Sequence, residues 1–161
     1  MGKIGGRKRL ETAHHEAARC IAAIAQGLAV PSVSVLPADG TAGAAHLDRA
    51  IYSADHDPDA QVAALKIDIV VVLAGPAARM KLRPRKRKEW GDNFKLAQAW
   101  ASWGAFLASG MSIAELDADG KIELSNEQQA LADQLLDECE ERAHRIVAER
   151  WGHREGRRGV A

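Results

Sequence analysis

The apolar and polar positions of this 161-residue chain change their rhythm several times between the two ends. From Thr12 to Leu28, Ala13, Ala17, Cys20, Ile21, Ile24 and Leu28 recur at three- and four-residue steps, which predicts an amphipathic helix ended by Pro31. Val33 and Val35 then alternate with serines, and Ala38-Asp39-Gly40 is a turn signal, so Ala42 to Leu47 is expected to return as the second strand of a hairpin. A polar loop with Asp55, Asp57 and Pro58 separates the hairpin from a long apolar helix, about Asp59 to Leu82, which Pro76 should kink or interrupt. Asp92 is a natural N-cap for a helix from Asn93 to about Ala108. Asp117-Ala-Asp-Gly120 reads as a turn. Ser125 and Gln128 form a capping box opening a last helix to about Trp151, with Leu131, Leu135, Cys139, Ile146 and Val147 inward. The predicted class is mainly α (α+β): helices with one short β-hairpin. One domain, residues 11–151, lies between a flexible basic N-terminus, 1–10, and a basic tail, 152–161.

Composition narrows this picture. The formal net charge is zero, so no overall field favours nucleic acid or an acidic membrane. With 47% hydrophobic and 27% charged residues the chain reads as soluble and globular. Its longest uncharged apolar stretch, Ile69 to Ala78, is too short to span a bilayer. The start has no apolar segment like a secretion signal. Cys20 and Cys139 stand alone and read as reduced core thiols, which points to the cytoplasm.

The chemistry gathers at His15-Glu16-Ala17-Ala18-Arg19. In H-E-x-x-H, two imidazoles at i and i+4 share one helix face and bind one zinc ion, while the glutamate acts as general base on the metal-bound water. Here Arg19 fills the i+4 position. A guanidinium stays protonated and has no lone pair for a cation.

In the order Glu11-Thr-Ala-His-His-Glu-Ala-Ala, Pro31-Ser-Val-Ser-Val-Leu-Pro, Leu73-Ala-Gly-Pro-Ala-Ala78 and Gly91-Asp92, the chain resembles the zinc-peptidase domain of the FtsH-type AAA proteases. It is most similar to small stand-alone proteins carrying that domain, over roughly residues 10–150. The resemblance implies a mostly helical fold of zinc-endopeptidase ancestry, with neither the ATPase domain nor the membrane anchor of the full-length relatives. It implies His15 as first metal ligand, Glu16 as catalytic base, and a third ligand at Asn93 or Asp92. Where the family carries an acidic pair after Gly-x-x-Ala, this chain has Arg79-Met80.

Two consequences follow from the residues. His15 and Arg19 lie only about 40° apart round a helix at 100° per residue, so a cation beside His15 would face the guanidinium. At 4 Å and an effective dielectric of about 20, a divalent ion is repelled by roughly 8 kcal/mol. Bound zinc is therefore expected to be absent. Alternatively Arg19 bridges Glu16 and Asp92 in place of the metal, or pairs with Glu16 as an ordinary i,i+3 surface contact. The expected function is an inactive peptidase homologue that binds a protein or peptide partner beside the hairpin, at Val33, Val35 and His46. One alternative is an active zinc endopeptidase with an atypical ligand set. Another is a nucleic-acid-associated protein using the basic run at 79–88, with Trp90, Trp100 and Trp103 as stacking platforms. The blander readings are a solvated loop for the run and packing for the tryptophans.

Overall fold

The computed structural model describes residues 2–30, 32–34, 44–46, 50, 57–83, 90–110 and 123–155. Four helices and one hairpin follow in the order α1 (Gly2–Ala25), β1 (Ser32–Ser34), β2 (Ala44–His46), α2 (Pro58–Leu82), α3 (Asp92–Ala108) and α4 (Asn126–Glu155). The mainly helical class with a short antiparallel hairpin is as the sequence predicts. Its register pairs Ser32 with His46, Val33 with Ala45 and Ser34 with Ala44. The turn at 38–40, Val35, the end of the basic run at 84–89 and the turn at 117–120 lie outside the described residues.

Local chemistry explains most helix ends. Gly27 takes φ +82°, Gly27 N–H donates to the Ile24 carbonyl (3.0 Å) and Leu28 N–H to that of Ala23 (2.9 Å). This Schellman closure, rather than Pro31, stops α1. At the other end α1 begins ten residues before Thr12, and an i,i+4 pair of Arg7 with Glu11 at 3.9 Å supports the added turns. The Asp57 side chain accepts from Ala60 N–H at 3.2 Å with Pro58 at the first helical position, so α2 opens as a capped helix. The capping box of α4 forms in both directions, Ser125 N–H to Gln128 Oε1 at 2.9 Å and Gln128 N–H to Ser125 Oγ at 3.1 Å. Asp92, by contrast, is not the cap of α3. Gly91 at φ +62° holds that place without a side-chain bond, and Asp92 is the first helical residue, where its charge still suits the helix dipole.

α2 is the central element and touches every other helix; α3 packs on α2 and α4, and α1 packs on α2 and more lightly on α4. Pro76 does not interrupt it. The proline removes only the hydrogen bond that the Val72 carbonyl would accept, and neighbouring helices surround this stretch on the buried side. Among the described residues α2 is the one helix long and apolar enough to cross a membrane, and 67% of its most apolar window is buried against the other elements.

Two apolar clusters meet on α2. The larger joins Ile69, Val70, Val72 and Leu73 to Ala101 and Ala105 of α3 and to Leu135, Leu136 and Cys139 of α4. The smaller, under α1, is nearly all alanine: Ala18, Ala22 and Ala23 against Ala74, Ala77, Ala78, Val71 and Val147. Trp90 is buried in the larger cluster, edge-on to Phe94 at 6.1 Å, and Trp100 packs against it. Both rings serve packing, Trp90 fully and Trp100 in part.

Candidate functional site

α1 is turned inside out relative to its sequence pattern. An amphipathic helix ordinarily directs its apolar stripe to the core. Here Leu10 (53% exposed), Ala17, Ile21 and Ile24 (64% exposed) face outward, while Thr12, His15 and Glu16 are buried with the small residues Ala18, Ala22 and Ala23. The reason lies on α2. Alanine and glycine let the two helix backbones approach closely, and only short side chains, or flat ones with a matching hole, fit between them.

Gly75 supplies that hole. A Cβ at position 75 would overlap the imidazole ring of His15. Gly75 is thus a glycine because the ring lies against its backbone, which accounts for Leu73-Ala-Gly-Pro in physical terms. His15 is only 5% exposed, and its Nδ1 has no hydrogen-bond partner. Burial first, then the charges of Arg79 and Arg19, lower its pKa to about 3, against a weaker opposing pull from the Gly75 backbone. Nε2 stands 3.8 Å from Glu16 Oε1, within ion-pair range, yet the imidazole is neutral and the contact carries no ion pair.

The charge pair of the site is Arg19 with Glu16. Arg19 Nη1 donates to Glu16 Oε2 at 3.3 Å, and Glu16 is 5% exposed. Of the two sequence alternatives, the i,i+3 pair with Glu16 is formed, with its carboxylate buried rather than on the surface, and the bridge on to Asp92 is not. The pair is one-pronged: Arg19 Nε has no partner, and Arg19 makes no ion pair with Asp92. Asp92 and Asn93 open α3, which packs on α2 and α4. Val33 is exposed on β1. Val35 lies outside the described residues, as does the side chain of His46.

Among the described residues no three His, Cys, Asp or Glu side chains are grouped to hold a metal. The two donors that do meet, His15 and Glu16, sit in the field of two guanidiniums. Sequence reasoning found His15, Glu16, Arg19 and Arg79. It passed over Asp68, a buried carboxylate of α2 that accepts Ala50 N–H at 2.8 Å and ties down the chain before that helix. An aspartate within an apolar run, Ile67-Asp-Ile-Val, was the available signal. No family model, curated protein or solved structure matches the chain.

Proposed function

We propose that this chain is a zinc-peptidase-like domain of the FtsH type whose metal has been replaced by an internal arginine–carboxylate pair, and that it binds peptides instead of cutting them. The observation that supports this is the Arg19–Glu16 contact at 3.3 Å beside His15. A carboxylate engaged by a guanidinium is stabilised as the anion and held by a donor, which opposes its use as a base toward water. The field that helps keep His15 neutral also repels a divalent cation.

Binding is assigned to the hairpin. β1 pairs with β2 on one side only among the described residues, and Val33 stands exposed on it. An extended peptide can add to such an edge through backbone hydrogen bonds, with apolar side chains meeting Val33.

Elemental analysis of the purified full chain tests the first half. The expected content is far below one zinc per chain, with unfolded casein left intact. Near-stoichiometric zinc that disappears in His15→Ala would falsify it. Arg19→His removes a repelling cation and adds a donor, and is expected to raise zinc affinity by about a hundredfold or more. For the second half, a panel of labelled unstructured apolar peptides is titrated by fluorescence anisotropy. Binding lost in Val33→Pro is expected; no peptide binding tighter than roughly millimolar removes the module.

One observation favours the working zinc endopeptidase as second reading. A neutral, buried imidazole with an unpartnered Nδ1 is in the protonation state a metal ligand needs. The zinc measurement separates the two.

A further inference from the structure

The apolar positions of the outward stripe of α1 are spaced symmetrically about Ala17. Leu10 and Ile24 lie seven residues either side of Ala17, and Ala13 and Ile21 lie four either side. At 100° per residue these five positions fall within about 80° of arc, and Leu10 and Ile24 are about 21 Å apart along the axis. The helix packs onto α2 through its opposite face and also meets both strands of the hairpin, yet Leu10, Ala17 and Ile24, the two ends of this stripe and its centre, stay exposed.

We propose that this face is the contact between two copies of the chain, with α1 antiparallel to its counterpart about a two-fold axis through Ala17. A two-fold contact requires that if residue i meets j, then j meets i. The stripe satisfies this without adjustment: Leu10 opposite Ile24, Ala13 opposite Ile21, and Ala17 opposite itself. The small side chain at the axis permits close approach, and the large ones at both ends then interlock.

Charge supports the same partner. α1 has no acidic residue in its first turn and no basic residue in its last, so neither end answers its own dipole. Arg7, Lys8 and Arg9 are exposed toward the positive end of the helix. In the antiparallel pair they lie beside residues 25–27 of the partner, at its negative end. Each copy thus supplies the cations that the other lacks. A lipid surface would accept the apolar stripe and the cations, but it gives no reason for a pattern symmetric about residue 17. The contact is small, about 21 Å of a helix face roughly 10 Å wide, on the order of 200 Å² and well below the ~800 Å² per partner of a standard stable interface. The dimer is accordingly weak and depends on concentration. It does not rest on the peptide reading, whose strand residue Val33 plays no part here.

Sedimentation equilibrium of the full chain, over a series from micromolar to near-millimolar, is expected to show monomer and dimer. Ala17→Glu places two carboxylates at the axis and is expected to abolish the dimer at every concentration while leaving the thermal melt unchanged. In a Cys20→Ala background, Ala17→Cys is expected to form a disulfide with its own copy under mild oxidation. Leu10→Cys is expected not to, because an antiparallel pair separates those positions by about 21 Å. A monomer at all concentrations overturns the proposal, as does a dimer that survives Ala17→Glu or one in which Leu10→Cys cross-links as fast as Ala17→Cys. A monomer whose stripe binds vesicles of phosphatidylglycerol and phosphatidylcholine assigns the face to lipid and overturns it equally.

Discussion

Helices α1 and α4 pack on the same central helix and solve the problem in opposite ways. α4 follows the usual rule: Leu135, Leu136, Cys139 and Val147 are buried, and its acidic residues Asp133, Asp137 and Glu141 face solvent. α1 buries Thr12, His15 and Glu16 and exposes Leu10, Ile21 and Ile24. The difference teaches that periodicity reports which residues share a face, but not which way that face turns. Direction is decided by the partner surface. Opposite α4 that surface is Ile69, Val70 and Leu73, which reward large apolar neighbours; opposite α1 it is Ala74, Gly75, Ala77 and Ala78, which exclude them.

The sharpest way to break this contrast is by truncation. Leu135→Ala on α4 is expected to cost about 3 kcal/mol in urea unfolding, because a buried cavity is left. Ile24→Ala on α1, measured on dilute protein, is expected to stay within about 0.5 kcal/mol. Equal losses at both sites would mean that the outward stripe of α1 is covered in solution.

Next in size is the charged pair. Arg19→Met leaves the Glu16 carboxylate buried without its partner and is expected to cost about 2–3 kcal/mol. Glu16→Gln should cost less, about 1 kcal/mol, since the partly exposed guanidinium can turn toward water. The double substitution is expected to recover part of the loss, and strict additivity would show that the two do not interact.

A pH series tests the buried imidazole. His15 titrates near 6.5 when unfolded and near 3 when folded, so between these values the unfolded chain holds one more proton. Stability is therefore complete above the unfolded value and falls as pH drops toward the folded one, by about 1.4 kcal/mol per unit from this group. Urea unfolding between neutrality and about pH 5, above most carboxylate titration, is expected to show this slope, and His15→Gln to flatten it. The last test is the double-mutant pair of Gly75→Ala with His15→Ala. Gly75→Ala should cost about 1–2 kcal/mol through overlap with His15, and become neutral or favourable in a His15→Ala background, where only the helix preference for alanine remains.

Much of this architecture was legible in the residues. The capping box at Ser125 and Gln128, the inward set of α4 and the pairing of the two strands followed from local rules that need no knowledge of neighbours. Pro31 is the stronger stop signal in the residues, but Gly27, in Gln26-Gly27-Leu28, closes α1 earlier through its left-handed conformation. Asp92 looks like a cap because aspartate is good at that task, while the glycine before it takes the conformation that decides the matter. Within the site, the sequence brought His15, Glu16 and Arg19 together, since three residues on adjacent helix turns cannot separate. It could not place Asp92 or Asn93 relative to them, because that depends on how α3 packs. Nor could it show that Gly75 and His15 share one space sixty residues apart in the chain.

The interlock of imidazole and bare backbone carries a consequence for inheritance. A lineage that adds a methyl group on the central helix must first shed the ring, and one that sheds the ring leaves an empty hollow that favours the methyl. The two positions should change hands together across descendants or not at all, whatever task the protein performs.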